Sequence, residues 1–297
     1  MQHLKRLTVE DEKTIKQYLE RNIKQTQWNL HPPERGISVG KCFVASSATE
    51  TVLVRLGIDD RIIAMLSNAE ITPRYLGGGL TVSGQPFYVQ EFVEVTPPDE
   101  QWYWANGKAL AHLIKKLQGL TNLRQYLASE QDETYQALLG RYLDQIRTEY
   151  SKVHREHRDR QPMGVLIREY QDRIGTITGC GLVPSHGDMG SGNILVARDA
   201  VYLTDWETLH LSDPVRDVAH LLWWMYPQGE WKDILGIFGM DLADTNLKER
   251  FYLYVSTRAL YVYLLFVNTS QEHLAKRFLK DAQRSSHYQA PKTLLIA

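Results

Sequence analysis

The sequence predicts an α+β chain in two lobes. Four runs of alternating apolar and polar residues lie before residue 94, at 41–46, 51–56, 74–80 and 85–93, and that period of two marks strands with one face buried. From Pro97-Pro98 onward nearly everything follows the helical period, interrupted only by short apolar runs around residue 194. At 297 residues, 43% hydrophobic and 23% charged, the chain exceeds one typical domain and can bury a large core. The lobes are expected at 1–93 and 94–297.

Each element has a local reason. Thr8-Val9-Glu10-Asp11 is a capping signal ahead of Ile15, Tyr18, Leu19 and Ile23, whose spacing predicts an amphipathic helix packed on the smaller lobe. The runs 41–46 and 51–56 flank a polar turn, a helical pattern covers 59–68, and the runs 74–80 and 85–93 complete a four- or five-stranded antiparallel sheet with one helix. Gly77-Gly78-Gly79 reads as closing a strand turn, and Gly36-Ile37-Ser38-Val39-Gly40 as a weak glycine loop. Trp102-Tyr103-Trp104 and Trp223-Trp224 read as packing aromatics.

The chemistry concentrates in His186-Gly187-Asp188-Met189-Gly190-Ser191-Gly192-Asn193. Phosphoryl transfer from ATP needs a carboxylate that takes the proton of the attacking hydroxyl and oxygen ligands that hold Mg²⁺ against the phosphates. Asp188 supplies the first, and Asn193 with Asp205 the second. Glycines at 187, 190 and 192 permit the tight turn, and a hairpin between 194 and 205 returns Asp205 toward Asn193. His-Gly-Asp-x-x-x-x-Asn arises by chance on the order of once in a thousand chains of this length. His-x-Asp also suits a metallohydrolase, but the other nine histidines form no second His-x-His or His-x-x-x-His pair.

At these residues the chain resembles the aminoglycoside phosphotransferase and choline kinase superfamily. Asp205-Trp206-Glu207 fits the family's metal-aspartate motif, Ser212-Asp213-Pro214-Val215-Arg216-Asp217 its next element, and Gly107 to Leu113 its first helix of the larger lobe. The resemblance implies a bilobal protein-kinase-like fold with a small antiparallel N-lobe and a mainly helical C-lobe. It also implies ATP and Mg²⁺ as cofactors, and His186 and Asp217 as braces of the catalytic loop. Arg55, in Val52-Leu53-Val54-Arg55-Leu56, stands where a phosphate-contacting lysine is sought; it is either that contact or an outward strand residue. Asp59 or Asp60 begins the following helix and Glu70 comes too late, so no acidic helix partner for it is assigned. The adenine site is expected on exposed backbone around Gln90, Glu91, Phe92 and Val93.

An acceptor with many positive charges calls for a rim of carboxylates, and Glu207, Asp213, Glu230, Asp241 and Asp244 lie in suitable segments. A net charge of −1 makes an amino alcohol, a sugar or a macrolide equally admissible, and gives no support for nucleic acid as a partner. The basic stretch 154–160 is interleaved with acids and reads as a solvated helix end. Cys42 and Cys180 lack metal or disulfide spacing, and the longest apolar run, 259–267, is too short to span a membrane. A cytoplasmic enzyme acting on a small molecule is therefore expected. The alternative is a nucleotide-binding pseudokinase serving as an interaction module, motivated by the missing lysine and the weak glycine loop.

Overall fold

A computed structural model describes residues 7–23, 27–33, 41–96, 98–130, 134–198 and 200–292. The glycine loop expected at 36–40 lies outside the described residues. The chain divides into two compact units, one of residues 1–97 with 193–207 and the other of 98–192 with 208–297.

In the first unit α1 (Val9–Asn22) starts where its cap predicts: the Thr8 hydroxyl oxygen accepts the Asp11 N–H at 3.1 Å. Ile15 and Leu19, one turn apart, point into the core with Trp28, Phe43, Val54 and Phe87. The strands β1 (Asn29–His31), β2 (Cys42–Ser46), β3 (Thr51–Leu56), β4 (Tyr75–Leu80) and β5 (Pro86–Glu91) form one sheet in the order β1-β2-β3-β5-β4. Every pairing is antiparallel. Between β3 and β4 runs α2 (Asp60–Asn68), capped by Asp59.

Two expectations change here. Gly77, Gly78 and Gly79 lie inside β4 rather than in a turn after it. The helix α2 lies so close that a Cβ on Gly78 would come within 2.6 Å of the Phe87 carbonyl and 2.8 Å of Asp60 Cβ, so the strand needs glycine there. The strand β5 also extends through Gln90 and Glu91, pairing them with Leu53 and Val52, so their backbone belongs to the ladder. The Gln90 side chain is buried and donates to Thr72 Oγ1 and the Pro73 carbonyl at 3.1 and 2.8 Å. Phe92 and Val93 follow the strand, and Phe92 is exposed.

The second unit is almost wholly helical: α3 (Glu100–Gln118), α4 (Thr121–Glu130), α5 (Tyr135–Lys152) and α6 (Arg160–Ile174) precede the short strand β6 (Val183–Ser185). The chain then contributes β7 (Ile194–Val196) and β8 (Val201–Leu203) to the first unit and returns with β9 (His210–Ser212), which pairs with β6. It closes with α7 (Val215–Met225), α8 (Gln228–Ile237), α9 (Thr245–Asn268) and α10 (Glu272–Ser286). Every residue of α7 is buried, Trp223 and Trp224 included; a helix apolar on most sides belongs in a core. The long α9 packs against α5, α7 and α10. Tyr103 is buried whereas Trp104 is exposed, so the aromatic run 102–104 only partly serves as core. Among the described residues no helix is long and apolar enough to cross a membrane.

Asp213, expected on a substrate rim, is instead fully buried. Its Oδ1 accepts the Val215 N–H at 2.9 Å and the Arg250 guanidinium at 2.8 Å, and its Oδ2 accepts the Tyr135 hydroxyl at 3.0 Å. The residue opens α7 and neutralises a cation, which leaves it no role toward a ligand. Replacing it by alanine strands Arg250 in the interior and is expected to destabilise the protein by about 3–5 kcal/mol, measured as a lower denaturant midpoint.

Candidate active site

The loop carrying Asp188 leaves β6 and is built from backbone bonds to buried side chains. Asp217, in the first turn of α7, accepts the N–H of His186 at 2.7 Å and of Gly187 at 3.1 Å. The Thr208 hydroxyl donates to the His186 carbonyl at 2.8 Å, and the Asp188 N–H donates to His186 Nδ1 at 3.3 Å. Both His186 and Asp217 are fully buried. They hold backbone and leave the Asp188 side chain pointing outward, 41% exposed. Gly187 sits at φ +84°, and a Cβ there would lie 2.4 Å from the Thr208 carbonyl oxygen. Only glycine permits both that dihedral and that approach.

Behind the loop, His210 presents Nδ1 to the Thr208 carbonyl at 2.7 Å and Nε2 to the Tyr142 hydroxyl at 2.5 Å. The carbonyl requires a proton on Nδ1, so Nε2 accepts from Tyr142. Burial, reinforced by the Arg216 guanidinium, lowers the pKa of His210 to about 3. The unfolded chain takes up a proton near pH 6.5 that the folded chain refuses until about 3. The stability that neutral His210 contributes is therefore complete above pH 6.5 and lost as pH falls toward 3. His210→Gln is expected to flatten that slope in a melting-temperature profile; an unchanged slope contradicts the assignment.

Asp188 has a partner that its sequence neighbourhood does not announce. The Arg258 Nη2, from the middle of α9, donates to Asp188 Oδ1 at 2.5 Å. The only local signal is that Arg258 is the one charged residue in the stretch Phe251 to Val267.

In the first unit the other two predicted residues sit at the open end of the β7–β8 hairpin. Asn193 precedes β7 and Asp205 follows β8, and the Thr204 N–H donates to the Asn193 carbonyl at 3.0 Å across the gap. Asp205 adopts φ +68°, a left-handed conformation that aspartate tolerates better than most residues. Arg55 is buried in β3 and pairs inward, donating to Asp205 Oδ1 at 2.9 Å and Thr204 Oγ1 at 3.2 Å. It is thus not an outward strand residue. Its acidic partner is Asp205, because Asp59 caps α2 and binds Arg61, while Asp60 accepts the Tyr75 hydroxyl. Glu207 forms an ion pair with Lys41 at 3.1 Å, and in the second unit Glu230 is exposed in the first turn of α8.

The donor set suits a hard cation. Among the described residues no cluster of three or more His, Cys, Asp or Glu side chains is gathered for a metal ion. One carboxylate and one amide stand at the hairpin mouth, and Asp205 Oδ2 has no partner among the described residues. Mg²⁺ fits such a place, since it takes one or two protein oxygens and fills its shell with phosphate oxygens and water.

The sequence model of the phosphotransferase enzyme family (APH) matches residues 44–251, a span containing Arg55, the whole 186–193 loop, Asp205 and Asp217. The chain belongs to this family. Solved structures agree on the fold. The choline kinase LicA from Streptococcus pneumoniae superposes with a TM-score of 0.63 at 12% identity, covering 93% of this chain and 98% of that one. The spectinomycin phosphotransferase APH(9)-Ia, solved with ADP and spectinomycin, gives 0.61 at 14% identity over 93% and 92% of the two chains. A thermostable mutant of the aminoglycoside phosphotransferase APH(4)-Ia, in a ternary complex with ADP and hygromycin B, gives 0.64 at 13% identity over 92% and 98%. As a phosphotransferase-family member the chain has the bilobal kinase-like fold, with its five-stranded antiparallel sheet in one unit and its helices concentrated in the other. The buried brace at Asp217 and His186 lies within the matched span, as does the exposed carboxylate it presents.

Proposed function

We propose that the protein is a small-molecule kinase, moving the γ-phosphoryl group of ATP to a hydroxyl of its acceptor. The observation that carries this reading is the Asp188 carboxylate, held outward on a loop whose backbone is tied to buried Asp217 and His186. In this reading the acceptor oxygen forms a bond to the γ-phosphorus as the bond to the β,γ-bridging oxygen breaks. ADP leaves with that electron pair, and the hydroxyl proton passes to Asp188. Asn193 and Asp205 would hold Mg²⁺, which when bound neutralises phosphate charge. Arg55 would serve the phosphates through the guanidinium N–H groups that do not face Asp205. The adenine would lie against Phe92 and Val93, and residues 1–93 and 94–297 would act as nucleotide and acceptor lobes. Nucleotide complexes of structural relatives, with ADP in two of them, support the choice of donor.

The test is Mg²⁺-dependent ADP release from ATP, with and without candidate acceptors. Stimulation by one acceptor class supports the reading. A second reading has one observation in its favour: Arg55 occupies one oxygen of the carboxylate assigned to the metal. A nucleotide-binding pseudokinase would bind ATP without Mg²⁺ and release no ADP with any acceptor.

A further inference from the structure

The cavity beside Asp188 holds about 170 Å³, with Trp224, Met225, Val262 and Phe278 among its walls. That is below the roughly 300–1,000 Å³ usual for drug-sized ligands. Its ionisable lining consists of Asp188, His220 and Arg258. His220 is kept neutral: burial and then the neighbouring Arg216 and Arg258 push its pKa far below the ordinary value. One acid and one cation remain, and the acid is engaged with the hydroxyl proton in the reading above.

Arg258 is under-used by the protein. One Nη2 bond goes to Asp188, and its guanidinium lies 6.0 Å from the Tyr261 ring. Among the described residues no acceptor faces its Nε or Nη1. Burial lowers its pKa, with Asp188 only partly offsetting that cost; an arginine nevertheless stays charged. A smaller cavity of about 50 Å³ adjoins through His220 and Arg258, contains a second guanidinium from Arg216, and has no carboxylate in its lining. A polycation brought here meets fixed positive charge, and within these two cavities Asp188 is the one acid. A third cavity meets the smaller one at Gln145 and Tyr261 and carries Asp144 and Glu149, but each of these is paired with a cation, Arg147 and Lys152, at 3.3 and 2.5 Å. An anion meets a fork of unpaired donors.

We propose that the acceptor is an anionic alcohol, a small molecule with an apolar body that carries a carboxylate or phosphate close to its hydroxyl, and that Arg258 binds the anionic group while the hydroxyl meets Asp188. The proposal rests on the phosphotransferase reading and names its substrate class. It also gives the Asp188–Arg258 pair a purpose: the acceptor's anion replaces Asp188 on the guanidinium and frees that oxygen for the proton.

The experiment compares hydroxy acids and hydroxyl-bearing phosphate monoesters with their uncharged methyl esters, alongside choline, kanamycin and spectinomycin. ADP release and ligand-induced thermal shift are read for the wild type, Arg258→Gln and Arg258→Lys. The expected result is turnover and a thermal shift with one anionic set, whether carboxylate or phosphate, and neither with its esters. In Arg258→Gln the KM for the anionic acceptor rises about 10- to 100-fold, as the loss of a charged hydrogen bond implies, while Arg258→Lys recovers part of it. Equal use of an acid and its ester, or turnover of choline or an aminoglycoside, overturns the substrate class while leaving phosphotransfer standing. A fall in kcat with unchanged KM in Arg258→Gln assigns Arg258 to positioning Asp188 and also overturns it. No ADP release with any compound defeats the phosphotransferase reading itself, and this inference with it.

Discussion

Asp188→Asn is expected to lower phosphotransfer by about 10²- to 10⁴-fold, the usual worth of a positioned proton acceptor. The effect should fall on kcat, because the amide keeps the shape of the side chain and an oxygen for Arg258 but cannot accept the hydroxyl proton. The fold should survive the change. Asp188 contributes a half-exposed carboxylate, and the loop is held by bonds through His186, Gly187 and Asp217 rather than through that carboxylate. A melting temperature within about 3 °C of wild type is expected. Unchanged turnover on a genuine acceptor removes Asp188 from the mechanism.

Gly187→Ala is expected to have the larger effect on stability. A left-handed alanine costs about 1–2 kcal/mol, and overpacking adds about 1–3 kcal/mol. Here the added Cβ would lie 2.4 Å from the Thr208 carbonyl and 3.1 Å from both Arg216 and His210. A loss on the order of 3 kcal/mol in a denaturant titration follows. It should be accompanied by loss of turnover, because the displaced backbone carries the N–H groups that Asp217 holds. Gly190→Ala is the control. An added Cβ there meets nothing within 4 Å, so a change within about 0.5 kcal/mol is expected. Equal effects at the two glycines contradict the account of the loop.

Local signals made much of this legible in the sequence. The Thr8 cap, the strand runs, the hairpin between Asn193 and Asp205 and the opening of α7 after Asp213 are all set by residues within a few positions of one another. The partners of the charged groups were not, because they depend on long-range packing. Arg55 finds Asp205 across 150 positions and Asp188 finds Arg258 across 70, and no spacing rule connects either pair. Asp213 illustrates the same gap. Its place in Ser212-Asp213-Pro214 fits the family motif, but only its own burial, with Arg250 and Tyr135 bonded to its carboxylate, takes it off a substrate rim. Gln90 lies within the run that reads as a strand, but that its backbone is taken up by the ladder depends on the neighbouring strands, which place Leu53 and Tyr75 opposite it.

In the proposed reaction a hydroxyl of a small molecule receives the γ-phosphoryl group of ATP under the control of Asp188. The most direct measurement is mass spectrometry of the acceptor after incubation with ATP and Mg²⁺, using the wild type and Asp188→Asn in parallel. The expected product is an acceptor heavier by one phosphoryl group, formed in step with ADP by the wild type and nearly absent with the mutant. Tight ATP binding with no phosphorylated acceptor from either protein, or equal product from both, would contradict it.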